Sequence, residues 1–113
     1  MNIQIFGTKK CKETAKALRY FKERGIPVHF VDIAEKPLSR GELSNISRSV
    51  PLEELIDREG REYERLQLQY IAHDIAEKIL EHPLLLRTPV VRNGPQAAAG
   101  YAPDIWKAWL GKQ

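Results

Sequence analysis

Residues 1–32 read MNIQIFGTKKCKETAKALRYFKERGIPVHFVD, and this stretch decides the fold class. Residues 2–6 alternate and carry β-branched and aromatic side chains, which predicts a strand. From about Cys11 to Arg24 apolar side chains recur every three or four residues, which predicts a helix that a glycine and a proline terminate. Residues 28–33 are again rich in β-forming side chains. The stretch therefore predicts a β-α-β unit with two parallel strands.

The middle of the chain, at about residues 39–82, is predicted to be an almost wholly helical insertion. Ser39 and Glu42 have the spacing of a capping box, which starts one helix. A proline begins a second, short helix over residues 51–56. From about Tyr63 to Glu81 the apolar side chains keep helical spacing, which predicts one long helix.

The last third of the chain returns to β structure. Residues 84–91 are apolar and branched, Asn93-Gly94 is a hairpin signal, and residues 96–100 are expected to pair back as a strand. Pro103 begins a last helix whose tryptophans pack on the sheet. The order β-α-β, helices, β-β-α predicts a single α/β domain over residues 1–113. This is the order of a thioredoxin-like fold with a four-stranded mixed sheet and a helical insertion.

The composition fits an ordinary globular domain. The 113 residues include 42% hydrophobic and 29% charged side chains, which excludes wholesale disorder. The net charge of +3 comes from 18 basic and 15 acidic residues that are interleaved along the chain, so nucleic-acid binding is not expected. No signal peptide is recognised, and no apolar run approaches the roughly 20 residues that span a bilayer. We expect a cytoplasmic protein with no membrane partner.

The single cysteine, Cys11, is the candidate nucleophile. It lies where a loop becomes a helix, so free backbone N–H groups and the positive end of the helix dipole are predicted to face its sulfur. Lys9, Lys10 and Lys12 add positive charge, and such surroundings lower the pKa of a thiol and raise its reactivity. The alternative is a buried cysteine that only fills a small apolar space.

Thr14 occupies the position of the second thiol in a Cys-x-x-Cys pair. An internal dithiol cycle is therefore excluded in the monomer, and an outside thiol must resolve any covalent intermediate on Cys11. The Thr14 hydroxyl either hydrogen-bonds the thiolate or serves as a local helix cap, and both interpretations stay open.

A structural metal site is not expected. Cys11 would have to combine with His29, His73 and His82, and these four residues show no metal-ligand spacing. One cysteine also excludes an internal disulfide. We expect no bound metal and no bound cofactor.

Three segments together resemble the arsenate reductase family. They are IFGTKKC (residues 5–11), FKERGI (residues 21–26) and LLRTPVVRNG (residues 85–94), and the resemblance spans nearly the whole chain. The family includes glutaredoxin-coupled arsenate reductases, Spx-type transcription regulators and YffB-like thiol reductases, and it implies a thioredoxin-like fold with a helical insertion. It also implies that Cys11 is the catalytic cysteine and that the Thr88–Pro89 bond is cis and faces it.

The resemblance implies a glutaredoxin-like, glutathione-dependent monothiol reductase. Cys11 would attack an electrophilic sulfur or an oxyanion, and either glutathione, as co-substrate, or a glutaredoxin would resolve the product. We expect the substrate to be bound around Cys11 by six residues, namely Thr8, Lys12, Thr14, Arg87, Thr88 and Pro89.

Two alternatives stay open. Arsenate reductases of this family resemble one another in three arginines that hold the oxyanion, and the matching positions here are Asp57, Thr88 and Tyr101, which argues against arsenate reduction. Arg58 and Arg87 each lie one residue away. Arg87 is either an anion ligand or a surface arginine, because a one-residue shift on a strand turns the side chain to the other face. The second alternative is an Spx-like, non-enzymatic regulator that contacts RNA polymerase, although many such regulators use the second cysteine that this chain lacks.

Overall fold

Four strands and six α-helices make up the computed structural model, which describes residues 2–111. The strands are β1 (Ile3–Gly7), β2 (Val28–Asp32), β3 (Val90–Asn93) and β4 (Gln96–Ala99). The helices are α1 (Lys12–Glu23), α2 (Arg40–Ser47), α3 (Leu52–Leu55), α4 (Arg61–Arg65), α5 (Ile75–Glu81) and α6 (Pro103–Leu110). This order confirms the predicted α/β class. None of these helices is long and apolar enough to cross a membrane.

The four strands form one mixed sheet in the order β2-β1-β3-β4. β1 pairs in parallel with β2, as predicted for a β-α-β unit, and antiparallel with β3. In the second pairing Phe6 lies opposite Val90. The end of β1 and the start of β3 therefore meet at the same edge of the sheet, which brings the loop before Cys11 beside Pro89.

Each face of the sheet is covered by its own hydrophobic core. α1 and α6 cover one face, whose buried residues are Ile3, Ile5, Ala17, Tyr20, Phe21, Val91, Ala98, Trp106 and Trp109. The helical insertion covers the other face, whose buried residues are Phe6, Val31, Ile33, Leu38, Leu43, Ile46, Val50, Leu55, Ile56, Leu68, Ile79, Leu85, Leu86 and Val90. The side chains of each strand alternate between these two cores.

The start of the insertion forms as predicted. Ser39 is the N-cap of α2, its hydroxyl accepts a hydrogen bond from the Glu42 N–H at 3.1 Å, and the Glu42 carboxylate accepts one from the Ser39 N–H at 2.9 Å. This is the reciprocal pair of a capping box. Pro51 precedes the short helix α3 as its N-cap.

The single long helix predicted from Tyr63 to Glu81 is wrong. α4 ends early because Gln67 adopts a left-handed backbone with a φ of 55°, which an α-helix cannot contain. A single 3₁₀ turn follows, and Asp74 then starts α5 by accepting a hydrogen bond from the Glu77 N–H at 3.0 Å. Between the two helices Leu68 is buried, but Tyr70 and Ile71 are exposed, with Ile71 52% accessible, so the helical spacing there does not follow one buried face.

The strand predicted over residues 84–91 is also largely wrong, because β3 begins only at Val90. The preceding segment contains a 3₁₀ turn and an isolated bridge between Leu86 and Ile56. Leu85 and Leu86 are buried against the insertion. The apolar run therefore reflects packing of a loop rather than pairing in the sheet.

Candidate functional site

Cys11 caps the start of α1, where the sequence predicted it. Its backbone is extended, with φ −80° and ψ 118°, and its side chain makes no capping hydrogen bond. Its N–H donates to the Thr8 carbonyl at 3.3 Å, and its own carbonyl accepts from the Ala15 N–H at 3.1 Å. The backbone is thereby fixed on both sides, while the half-buried sulfur lies near the backbone N–H groups of Glu13 and Thr14 in the first helical turn.

Thr88 lies directly against the sulfur. The Thr88 hydroxyl donates to Cys11 Sγ at 3.1 Å, and Sγ lies 3.8 Å from the Thr88 carbonyl oxygen, to which the thiol donates. The Thr88–Pro89 peptide bond is cis. The cis bond and its position beside Cys11, both implied by the family resemblance, are confirmed.

Thr14 is buried behind the sulfur, in close contact with the end of β1. It is 1% exposed, and its hydroxyl oxygen has no hydrogen-bond partner of full geometry among the described residues. A β-carbon placed on Gly7 would lie 3.0 Å from Thr14 Cβ and closer still to the other two side-chain atoms. Only a glycine fits there, so Gly7 lets the first turn of α1 pack on β1.

The surroundings of Cys11 lower the pKa of its thiol. Burial acts to raise this pKa, but it is outweighed by the hydroxyls of Thr14 and Thr88 and by the backbone N–H groups of Thr14 and Glu13. The Thr14 hydroxyl, which has no other hydrogen-bond partner among the described residues, thus stabilises the thiolate more than the thiol. The helix start contributes as predicted.

The neighbouring lysines contribute differently from the sequence prediction. Lys9, Lys10 and Lys12 are all exposed, and Lys9 is 3.7 Å from the Glu35 carboxylate. None of the three is among the groups that lower the pKa of the Cys11 thiol. Solvent screening reduces the effect of such exposed charges. The pKa of the thiol is therefore lowered by neutral hydrogen-bond donors rather than by the lysines that the sequence analysis invoked.

Three predicted site residues remain, namely Thr8, Lys12 and Arg87. Thr8 is held beside Cys11 through its backbone, and Lys12 is exposed in the first turn of α1. Arg87 is exposed, and its guanidinium lies over Gly100, where an added β-carbon would be 3.5 Å from Arg87 Nη2. The structure thus assembles a cysteine, two threonines and a proline, with the Arg87 guanidinium packed on Gly100.

The arginines adjacent to the expected oxyanion positions lie in a cavity of mixed charge. This cavity of about 260 Å³ is lined by Arg58 and Arg87, but also by Asp57 and Glu59. Arg58 donates to the Glu53 carbonyl at 3.0 Å. The lining thus contains as many acidic as basic residues, which leaves no excess positive charge for an oxyanion.

Gly7 is the residue that sequence reasoning missed. Gly7 is not among the predicted site residues, yet the missing side chain at Gly7 is what admits Thr14. A glycine just before a helix that starts with a reactive cysteine is the signal that was available. Across residues 2–111, no group of three or more His, Cys, Asp and Glu side chains is placed to hold a metal ion.

The chain is similar to known proteins in both sequence and structure. The ArsC family profile matches residues 6–109. Global transcriptional regulator Spx 2 of Oceanobacillus iheyensis is 30% identical, over 97% of this chain and 84% of its own length. An arsenate reductase from Vibrio cholerae, 22% identical, superposes with a TM-score of 0.81 over 93% of this chain and 94% of its own. A YffB protein, also 22% identical, superposes with a TM-score of 0.85 over 95% and 97% of the two chains. These similarities confirm the resemblance and the thioredoxin-like fold predicted from the sequence.

Proposed function

Because this chain belongs to the ArsC family, we propose that it is a glutaredoxin-like, glutathione-dependent monothiol reductase with Cys11 as its nucleophile. The lowered pKa of the Cys11 thiol is the observation that supports this proposal most. A lower pKa increases the thiolate fraction at neutral pH, and the thiolate is the form that attacks disulfides. A cysteine that merely filled apolar space would have a raised thiol pKa instead.

The proposed reaction is a pair of thiol–disulfide exchanges. The Cys11 thiolate attacks the glutathione sulfur of a substrate mixed disulfide, that S–S bond breaks, and the substrate leaves as a thiolate that takes a proton from water. Cys11 then carries glutathione in a disulfide. The thiolate of a second glutathione attacks the bound glutathione sulfur, which releases oxidised glutathione and the Cys11 thiolate. In the net reaction the sulfur of the incoming glutathione is oxidised as the substrate sulfur is reduced to a thiol, and the glutathione sulfur that Cys11 carries stays in a disulfide throughout.

The residues around Cys11 serve both exchanges in this proposal. The hydroxyls of Thr14 and Thr88 and the N–H groups of the first turn stabilise the Cys11 thiolate as attacking group in the first exchange and as leaving group in the second. The Thr88 backbone, 3.8 Å from Sγ, pairs with the extended backbone of glutathione in the manner of strand addition. Lys12, exposed one residue away, meets a glutathione carboxylate.

The test is mass spectrometry followed by turnover. We expect oxidised glutathione to add one glutathionyl group to Cys11 of the folded protein, and a glutathionylated peptide to be reduced with multiple turnovers when glutathione is supplied. Cys11→Ser should abolish both results. Ser47→Ala is the matched control and should change neither, because Ser47 lies in α2, where its hydroxyl donates to the Ser44 carbonyl at 2.9 Å. Absence of the adduct on the folded protein, or turnover that survives Cys11→Ser, would refute the proposal.

Arsenate is not the substrate we propose. Arg58 and Arg87 share their cavity with Asp57 and Glu59, which repel an arsenate ion. We expect little or no arsenate turnover with glutathione and glutaredoxin, measured as arsenite formed. Robust turnover that is lost in Arg87→Ala would show that this guanidinium leaves Gly100 to bind the oxyanion, contrary to our interpretation.

A second candidate function is transcriptional regulation, favoured by the 30% identity with Spx 2 over 97% of this chain. In this role the chain binds RNA polymerase, and Cys11 senses oxidants without turnover. A binding assay with purified RNA polymerase distinguishes the two functions. Stable binding by both the unmodified chain and Cys11→Ser, together with no reductase turnover, would favour the regulator.

A further inference from the structure

We propose an oxyanion-binding site formed by Arg92, His29 and Gln4 at the end of β1 that is remote from Cys11. Its ligand is a small molecule that carries a carboxylate or phosphate group. The site lies on the sheet face that the helical insertion covers elsewhere, and it is separate from the thiol chemistry proposed above.

The three side chains form a row across three adjacent strands. In the sheet register Gln4 lies opposite His29 on β2 and opposite Arg92 on β3. The next row on the same face, two residues further along each strand, is buried in the core under the insertion; its members are Phe6, Val31 and Val90. The row at Gln4 instead borders an open cavity of about 720 Å³, which Asn2 also lines. The insertion thus leaves this polar row accessible.

The hydrogen bonds of the row have a defined direction. Arg92 can only donate, and its Nη1 lies 3.4 Å from Gln4 Oε1, which fixes the orientation of the Gln4 amide. Gln4 Nε2 therefore donates to His29 Nδ1, 3.2 Å away. The neutral imidazole then carries its proton on Nε2. The chain of bonds leaves His29 with an N–H donor for a ligand.

Within residues 2–111, no carboxylate forms a salt bridge with the Arg92 guanidinium. Its Nε donates to the Gly94 carbonyl at 3.0 Å, and its bond to Gln4 is likewise to a neutral oxygen. Over the described residues, the cavity lining contains no Asp and no Glu. A partly buried guanidinium held only by neutral acceptors favours an anion nearby, and its planar fork matches the two oxygens of a carboxylate or phosphate. The lining supplies donors around that charge from His29 and Asn2.

The first experiment is ¹⁵N NMR of the histidine side chains of the full chain at pH 8. His29 should show the tautomer protonated on Nε2. His73 is a built-in reference with the opposite expectation, because its Nδ1 lies 2.7 Å from the Ile71 carbonyl oxygen and must donate to it. The same tautomer at both histidines, with the proton on Nδ1, would overturn the hydrogen-bond chain.

The second experiment titrates inorganic phosphate, and separately acetate, at constant ionic strength. We expect a saturable shift of the His29 signals with at least one of these anions and none at His73. Saturation by phosphate alone identifies a phosphate ligand, and saturation by acetate as well identifies the carboxylate class. Saturation by neither anion, or an equal shift at both histidines, would overturn the site.

Variants then test which groups bind the anion. Arg92→Met should raise the Kd of the anion at least tenfold. Arg92→Lys keeps the charge but loses the planar fork, so it should raise the Kd less, and it also serves as a control for a folding defect. Arg19→Met removes an exposed arginine from α1 and should leave the titration unchanged. A titration that is the same in both Arg92 variants as in the unmodified chain would refute the proposal. Cys11→Ser should bind the anion normally. A failure of this site can therefore be distinguished from a failure of the proposed reductase activity.

Discussion

The two faces of the sheet are stabilised in different ways. The face under α1 and α6 holds a small cluster of aromatic rings, in which Trp106 lies 5.2 Å from Tyr20 and 5.4 Å from Phe21 between ring centroids. The face under the insertion holds mainly aliphatic side chains contributed by many short segments. Large rings that contact several partners concentrate the packing energy in a few residues. The aromatic face therefore fixes α1, and with it Cys11, while the insertion distributes its stability over many small contacts.

The largest expected effect is on the aromatic face. Trp106→Ala should lower the free energy of unfolding by about 3–5 kcal/mol, because the Trp106 side chain is fully buried among three rings. Leu55→Ala, at a fully buried position of the other face, should cost less, within the ~2–5 kcal/mol of such changes. Urea denaturation measures both. A larger loss for Leu55→Ala would break the comparison.

The next largest effect is expected at the seam, the contact between Gly7 of β1 and Thr14 of α1 that lies beside Cys11. Gly7→Ala forces Thr14 away from β1, which should cost about 1–3 kcal/mol of stability and raise the pKa of the Cys11 thiol. The matched control is Gly41→Ala in α2, where an added β-carbon meets no atom closer than 4.0 Å. That change should leave stability equal or higher, since alanine favours a helix. If the two changes had the same effect, the close packing at Gly7 would be unimportant.

A substitution at Thr14 that keeps the packing but removes the hydroxyl tests what this hydroxyl does for the Cys11 thiol. Thr14→Val keeps the side-chain shape and removes the hydroxyl that lowers the pKa of the Cys11 thiol. The thiolate fraction at pH 7 should fall, so alkylation by iodoacetamide should slow by about tenfold there, while the rates above pH 10 converge. The measurement is the alkylation rate against pH. An unchanged profile would assign the lowered pKa to Thr88 and the helix start alone.

The smallest expected effect is on the insertion. Ser39→Ala removes the hydroxyl that accepts from the Glu42 N–H, while the bond from the Ser39 N–H to the Glu42 carboxylate can remain, and it should cost about 1 kcal/mol. Ser44→Ala, an exposed change inside the same helix, is the control and should cost nothing. The Cys11 alkylation rate should be the same in both variants. A loss as large as that of Gly7→Ala would mean that the insertion acts as one cooperative unit rather than as separate short segments.

The sequence predicted the parts of the fold that depend on local pattern. The apolar spacing of α1 and the capping box at Ser39 are local features, and both formed as predicted. The break at Gln67 was not predicted, because nothing in the periodicity of the neighbouring side chains distinguishes a left-handed residue. The direction of the Arg87 side chain and the contact between Gly7 and Thr14 depend on distances between elements. Such distances follow from tertiary packing and leave no periodic trace in the sequence.

The lowered pKa of Cys11 also links the ionisation of this thiol to folding. An unfolded thiol titrates near ~8.5, so between the folded-state pKa and that value the unfolded chain holds a proton that the folded chain has released. The free energy of unfolding therefore rises with pH across this window, is fully gained above it, and is lost as the pH falls through the folded-state pKa. A glutathionyl group makes the sulfur neutral and removes this gain. In the reaction proposed above, the folded chain would thus favour release of glutathione from Cys11, because each return to the thiolate restores stability that the covalent intermediate lacks.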